Sequence, residues 1–192
     1  MKSISNCHRA ILQWYRHHGR NFPWRRTKDP FRILVSEVML QQTQVSRVLQ
    51  KYPPFLRRFP TLSRLALASQ ADVLRAWQGM GYNNRAVRLH LLAKKVRKEF
   101  NGRLPGAITD LQSLPGVGRY TAHAVACFAF RQHVPVVDTN IARVLSRLLP
   151  RQRADLWSLA ERVLPSRKAY DWNQALMDLG ATVCTASNPR CD

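Results

Sequence analysis

The chain has 192 residues, 45% of them hydrophobic, enough for one substantial domain or two small ones and too apolar a mixture for a disordered polymer. It carries 31 Lys and Arg against 11 Asp and Glu, a formal net charge of +20 that a solvated surface does not need and self-repulsion opposes, so a polyanion, nucleic acid first, is the expected partner, with a generically basic protein as the bland alternative. Four scattered cysteines (Cys7, Cys127, Cys184, Cys191), no signal-peptide pattern and no apolar run near the roughly 20 residues that span a bilayer argue against a secreted or membrane protein and for a reducing, cytoplasmic location.

Helical spacing dominates from the start. Ser5 to His18 sets Ile11, Leu12, Trp14 and Tyr15 among basic residues, an amphipathic pattern, and Asn21 to Pro30 reads as a loop. Phe31 to Lys51 predicts one helix whose core face is Ile33, Leu34, Val38, Leu40, Val45, Val48 and Leu49, weakened or ended by Pro53 and Pro54. Thr61 to Leu67 predicts a short helix capped by Thr61, and Gln70 to Trp77 another, before Gly79 and Gly81 break the pattern. Asn84 to Phe100 predicts a long basic helix with Leu89, Leu92, Val96 and Phe100 as its apolar stripe and Arg85, Arg88, Lys94, Lys95, Arg97 and Lys98 spread over the rest, ended by Asn101-Gly102. A short helix over Ile108 to Ser113 follows, then a buried one over Tyr120 to Arg131, then helices over Asn140 to Leu149, Ala154 to Leu164 and Trp172 to Cys184. Val134 to Val137 is the one strand-like piece, short and interrupted by Pro135, so the class is all-α.

Three segments carry chemistry. Leu114-Pro115-Gly116-Val117-Gly118 stands between two helices; glycines permit a tight turn and close backbone approach, and the N–H groups opening the next helix suit a phosphate. The same turn also serves as a plain αα-hairpin. Asp138, in Val137-Asp138-Thr139-Asn140, reads alone as an ordinary helix N-cap. Glu37, one of three glutamates, falls in an otherwise apolar stretch, where a partly buried carboxyl keeps a proton more readily than one in water; the alternative is a surface Glu in a local ion pair.

Taken together, Leu114 to Gly118, Asp138 and the preceding helices resemble the helix-hairpin-helix DNA glycosylase superfamily that includes endonuclease III. SEVMLQQTQ from Ser36, GMGYNNR from Gly79 and NQALMDLG from Asn173 resemble its MutY-type adenine DNA glycosylases, and the likeness runs from about Trp14 to Cys191. The resemblance implies a two-lobed all-α fold, residues 26–132 forming a six-helix lobe with the hairpin and residues 1–25 plus 133–192 a second helical lobe, with double-stranded DNA carrying a mismatch bound in the cleft and its target nucleotide flipped out. It implies that Glu37 is the general acid that protonates the leaving base and that Asp138 stabilises the oxocarbenium-like sugar, with Asn140 orienting Asp138 or the attacking water. Tyr120 stands where strand-cutting relatives carry an attacking lysine, which implies a monofunctional enzyme leaving an abasic site. Gln42 and Tyr82 resemble the residues that wedge into the duplex; Leu114, Gly116, Gly118 and Arg119 take the hairpin's DNA-binding positions, and Gln174 lines the base pocket. Asn83 replaces a tyrosine common in this family.

The family usually binds a [4Fe–4S] cluster through four cysteines; Cys184 and Cys191 match the first two, with six residues between them, so the motif is incomplete and either the cluster is lost or the chain is a piece of a longer protein. No cofactor is required for the chemistry itself. The domain that reads 8-oxoguanine in MutY-type enzymes has no counterpart here. The expectation is therefore a monomeric base-excision repair enzyme that hydrolyses the N-glycosidic bond of adenine opposite G or 8-oxoguanine, with no membrane partner. A thymine or uracil glycosylase acting opposite G, and a catalytically dead DNA-binding module, are the alternatives.

Overall fold

The computed structural model describes residues 2–149 and 155–190, which form eleven α-helices and one 3-10 turn, with no strand among the described residues. The chain is all-α, as its periodicity predicts. The helices are α1 (Lys2–His18), α2 (Pro30–Leu40), α3 (Val45–Arg58), α4 (Leu62–Leu67), α5 (Gln70–Trp77), α6 (Asn84–Glu99), α7 (Ile108–Gln112), α8 (Arg119–Phe128), α9 (Thr139–Leu148), α10 (Leu156–Arg162) and α11 (Ala169–Thr182). Two compact units divide them: Phe22–Phe130 is one, and residues 1–21 with 131–192 are the other.

In the Phe22–Phe130 unit, α2 packs on α3, α6 and α8, while α4 and α5 pack on α6. Leu34, Met39, Phe55, Leu65, Trp77, Leu89, Leu92 and Leu111 are among the side chains that close the interior. Three helix starts in this unit are capped by a local side chain. Asp29 accepts from the N–H groups of Phe31 and Arg32 ahead of α2, whose first residue is Pro30; Thr61 accepts from Arg64 N ahead of α4, and Ser69 from Asp72 N ahead of α5.

Three sequence expectations are corrected here. The helix predicted over Phe31 to Lys51 is two helices, parted at Gln41-Gln42-Thr43-Gln44, where Gln42 takes a positive φ of 54°. Pro53 and Pro54 do not end α3, which runs on to Arg58. The reason is packing: Val48, Tyr52, Phe55 and Phe59 form a buried stripe at helical spacing, and the two missing N–H groups would have faced the carbonyls of Leu49 and Gln50, residues on the exposed side of the helix. Finally, Arg85 is not part of the solvated basic face of α6; its side chain is buried.

In the other unit, α1 and α9 pack against α11, and α10 packs against α9. Ile141, Val144, Leu145, Leu159, Val163, Trp172 and Leu176 make its core, with Ile11 and Leu12 of α1 laid against it. Asp178 on α11, fully buried, accepts from the backbone N–H of Arg20 at 2.8 Å and from its Nε at 2.7 Å, fastening the chain that leaves α1. Asn173 clamps the extended segment before α9: its Nδ2 donates to Val134 O at 3.0 Å and its Oδ1 accepts from Val136 N at 3.0 Å.

Candidate active site

Glu37 lies on α2 with 5% of its surface exposed, and Tyr120 opens α8, which packs against α2. The phenol Oη donates to Glu37 Oε2 at 2.7 Å. A short O–H···O contact inside an apolar helix pair is a strong, oriented bond. The burial of Glu37 rules out a position for it on the solvated helix surface. One turn along, Gln41 Nε2 donates to Thr121 Oγ1 at 3.3 Å, a second tie between the same helices.

In the other unit, Asp138 is the helix N-cap that its sequence context predicts. Its Oδ1 accepts from Ile141 N at 2.7 Å, which makes it the N-cap of α9, and its Oδ2 accepts from Asn140 Nδ2 at 2.8 Å. A carboxylate offers about four acceptor positions, so capping leaves capacity for a further group. Asn140 is held in turn by Arg143, whose Nη2 donates to Asn140 Oδ1 at 2.8 Å and to Gly180 O at 2.7 Å, while its Nε donates to Cys184 O at 2.8 Å. The sequence reading missed Arg143 and Asn173. Arg143 lies one turn beyond Asn140 on α9, which is the only local sign of its role.

The hairpin falls at α7–turn–α8. Gly116 has φ +79°, and a Cβ there would stand 3.0 Å from the Cβ of Arg88, so glycine is required both by conformation and by closeness. Gly118 differs: its φ of −87° suits any residue and a Cβ would meet nothing within 4 Å. The protein itself does not need glycine there. What its lack of a side chain does is leave the entrance to α8 open, and no side-chain cap covers that helix start. Arg119 and Gly118 are exposed, whereas Leu114 is 2% exposed and packs inward.

Gln42 and Tyr82 are both exposed and both hold a positive φ, 54° and 48° respectively. Gln174 is buried on α11 beside Asn173.

Cys184 is half-buried, with Arg147 Nη1 donating to its Sγ at 3.4 Å and to Thr185 O at 2.7 Å; Cys191 lies outside the described residues. Among the described residues no three His, Cys, Asp or Glu side chains gather as a metal site. Two cysteines do not fit a cluster that takes four thiolates. No helix among the described residues is long and apolar enough to cross a membrane.

Residues 35–164 match the family model described as HhH-GPD superfamily base excision DNA repair protein. The chain is 50% identical to an adenine DNA glycosylase of Mycobacterium tuberculosis, the match covering 94% of this chain and 62% of that protein, and 43% identical to the human adenine DNA glycosylase over 95% of this chain and 36% of that one. It thus spans less than two thirds of the length of these curated relatives. Among solved structures, a thermostable thymine-DNA glycosylase superposes with a TM-score of 0.92 at 32% identity, covering 99% of this chain and 91% of that one. An endonuclease III–DNA covalent intermediate superposes with a TM-score of 0.87 at 22% identity, covering 99% and 90% of the two chains, a likeness of fold. The chain belongs to the HhH-GPD superfamily of base excision DNA repair proteins.

Proposed function

We propose that this chain is the glycosylase part of a monofunctional adenine DNA glycosylase acting on mispaired adenine in duplex DNA. The observation that carries the reading is the Tyr120–Glu37 pair: a tyrosine in the first turn after the hairpin, its hydroxyl 2.7 Å from a buried carboxyl that could serve as an acid. Neutral adenine leaves poorly as an anion, so a ring nitrogen must take a proton as the C1′–N bond breaks. Glu37 supplies that proton, the bonding electrons pass to the base, and the sugar becomes a cation. Asp138 stabilises that cation, with Asn140 fixing its carboxylate. A water oxygen then bonds to C1′ and passes one proton to the carboxylate left at Glu37, which restores the acid and leaves an abasic site. Tyrosine offers no amine to form a Schiff base, so the strand is not cut.

DNA reaches the protein through the exposed Arg119 and the open start of α8 at Gly118, and through Gln42 and Tyr82 as wedge residues. Gln174 belongs to the base pocket. The partner is a mismatched duplex, which the net charge of +20 also favours.

A thymine glycosylase is the second reading, favoured by the likeness to the thermostable thymine-DNA glycosylase. The higher identity to adenine enzymes weighs against it, as does Glu37, since thymine departs as a better-stabilised anion. The test is single-turnover excision from A:G, A:8-oxoguanine, T:G and U:G duplexes, beside Asp138→Asn. Adenine release that Asp138→Asn abolishes is the expected result. Release of thymine or uracil instead moves the substrate, and binding without any release leaves only a DNA-binding module.

A further inference from the structure

Arg85 is 8% exposed, and its partners are not carboxylates. Nη1 donates to the carbonyls of Val38 at 3.1 Å and Met39 at 2.9 Å and, in a shorter contact, to that of Gln41. Nη2 donates to Thr43 Oγ1 at 2.9 Å and to the carbonyls of Met80 at 3.1 Å and Gly81 at 3.2 Å. The guanidinium carbon lies 5.4 Å from the Trp77 ring centre and 5.5 Å from that of Tyr82. Burial pushes the guanidinium below its ordinary value, yet arginine stays charged in proteins. Such a buried charge is costly unless something compensates it.

The compensation is the end of α2. The last carbonyls of a helix lack intrahelical donors and carry the negative end of its dipole, and α2 has no basic residue in its own last turn. Arg85 supplies the missing donors from α6. The same fork joins two turns, Gln41–Thr43 and Met80–Tyr82. Each turn holds one non-glycine residue with positive φ, Gln42 or Tyr82, a conformation that residues with a side chain rarely adopt and that persists only where neighbours impose it. Bonds to Gln41 O and Thr43 Oγ1 bracket Gln42. Bonds to Met80 O and Gly81 O precede Tyr82, and the Arg85 backbone N–H closes on Tyr82 O at 2.9 Å.

We propose that Arg85 is a positioning residue that locks the Gln42 and Tyr82 turns onto the end of the Glu37 helix, so that both side chains meet the duplex as one preformed wedge. The proposal rests on reading the chain as a DNA glycosylase. Lysine in its place would keep the charge and lose the planar fork that reaches both turns.

The test compares wild type, Arg85→Lys and Arg85→Met with Tyr52→Phe, a control that removes a buried hydroxyl bonded to Arg32 O at the far end of α2. Each folded protein is titrated with a duplex carrying a tetrahydrofuran abasic analogue opposite G, with 2-aminopurine beside it to report local unstacking, and with the same duplex undamaged. Melting temperature and adenine release from A:G are measured in parallel. Both Arg85 variants should bind undamaged DNA nearly as wild type does, while preference for the abasic duplex falls about tenfold or more and the 2-aminopurine signal is lost. Tyr52→Phe should keep both. Arg85 variants with wild-type preference and signal would overturn the role, as would an equal loss in Tyr52→Phe. A wild type that brightens the reporter without releasing adenine overturns the adenine assignment and leaves the role of Arg85 standing; one that does neither overturns both.

Discussion

Gly180 is the position where the smallest change should disturb the candidate chemistry most. It lies where α11 packs on α9, and a Cβ there would stand 2.6 Å from Asn140 Cβ and 3.0 Å from Asn140 O. Ordinary carbon–carbon contact is about 3.5–4.0 Å, so in Gly180→Ala the start of α9 must retreat by about 1 Å. Sliding is not an easy escape, because Arg143 Nη2 bonds both Gly180 O and Asn140 Oδ1 at this place. The strain passes instead to Asn140 and to Asp138, whose Oδ2 Asn140 holds at 2.8 Å. Overpacking of this kind costs about 1–3 kcal/mol, and at roughly 2–4 °C per kcal/mol for a chain this size the melting temperature should fall by roughly 2–12 °C. Misplacing a reacting group by about 1 Å costs on the order of 10²-fold in rate. The assay is thermal unfolding together with single-turnover adenine release, the latter at a temperature where the variant is fully folded. A variant that melts within about 1 °C of wild type would refute the steric argument, given the range above. One that melts lower yet keeps its rate when folded would refute the link from Gly180 to Asp138.

Tyr120→Phe removes the hydroxyl that holds Glu37 Oε2 and should slow single-turnover adenine release about tenfold, the equivalent of 1.4 kcal/mol; Glu37→Gln should be slower still, and a full rate in Glu37→Gln would speak against protonation by this residue. Asp178→Ala strips a fully buried carboxylate from Arg20 and should lower unfolding free energy by about 2–3 kcal/mol in denaturant titration. Asp72 is held to about 2, against an ordinary 3.8, by the Ser69 hydroxyl and by Arg75 and Arg58. A carboxyl depressed in the folded state stabilises it above the ordinary value and loses that contribution as pH falls from about 4 towards 2. Melting temperatures of Asp72→Asn should therefore fall less steeply than those of wild type across that window.

The sequence made single residues legible far better than their pairings. Asp138 announced itself twice, as a cap before a periodic stretch and as part of a motif, and it serves as a cap while Asn140 holds its other oxygen. Glu37 and Tyr120 were each singled out, but the bond between them joins residues 83 positions apart and has no local signature. The break between α2 and α3 was hidden for a related reason: Gln41-Gln42-Thr43-Gln44 contains neither glycine nor proline, and the turn is imposed from α6 by Arg85. Arg85 itself was more legible than residue type suggests. Leu89, Leu92 and Val96 define the buried stripe of α6, and one turn earlier that stripe passes through position 85, so periodicity points the side chain inward while its charge argues outward. Lys95, on the same helix but off the stripe, stays in the solvated zone and reaches Ser113 O at 2.9 Å. Where periodicity and charge disagree, burial requires acceptors that a local reading cannot supply. Here they are the carbonyls at the end of the helix that carries Glu37, which is why a residue spent on folding also bears on the geometry of the candidate acid.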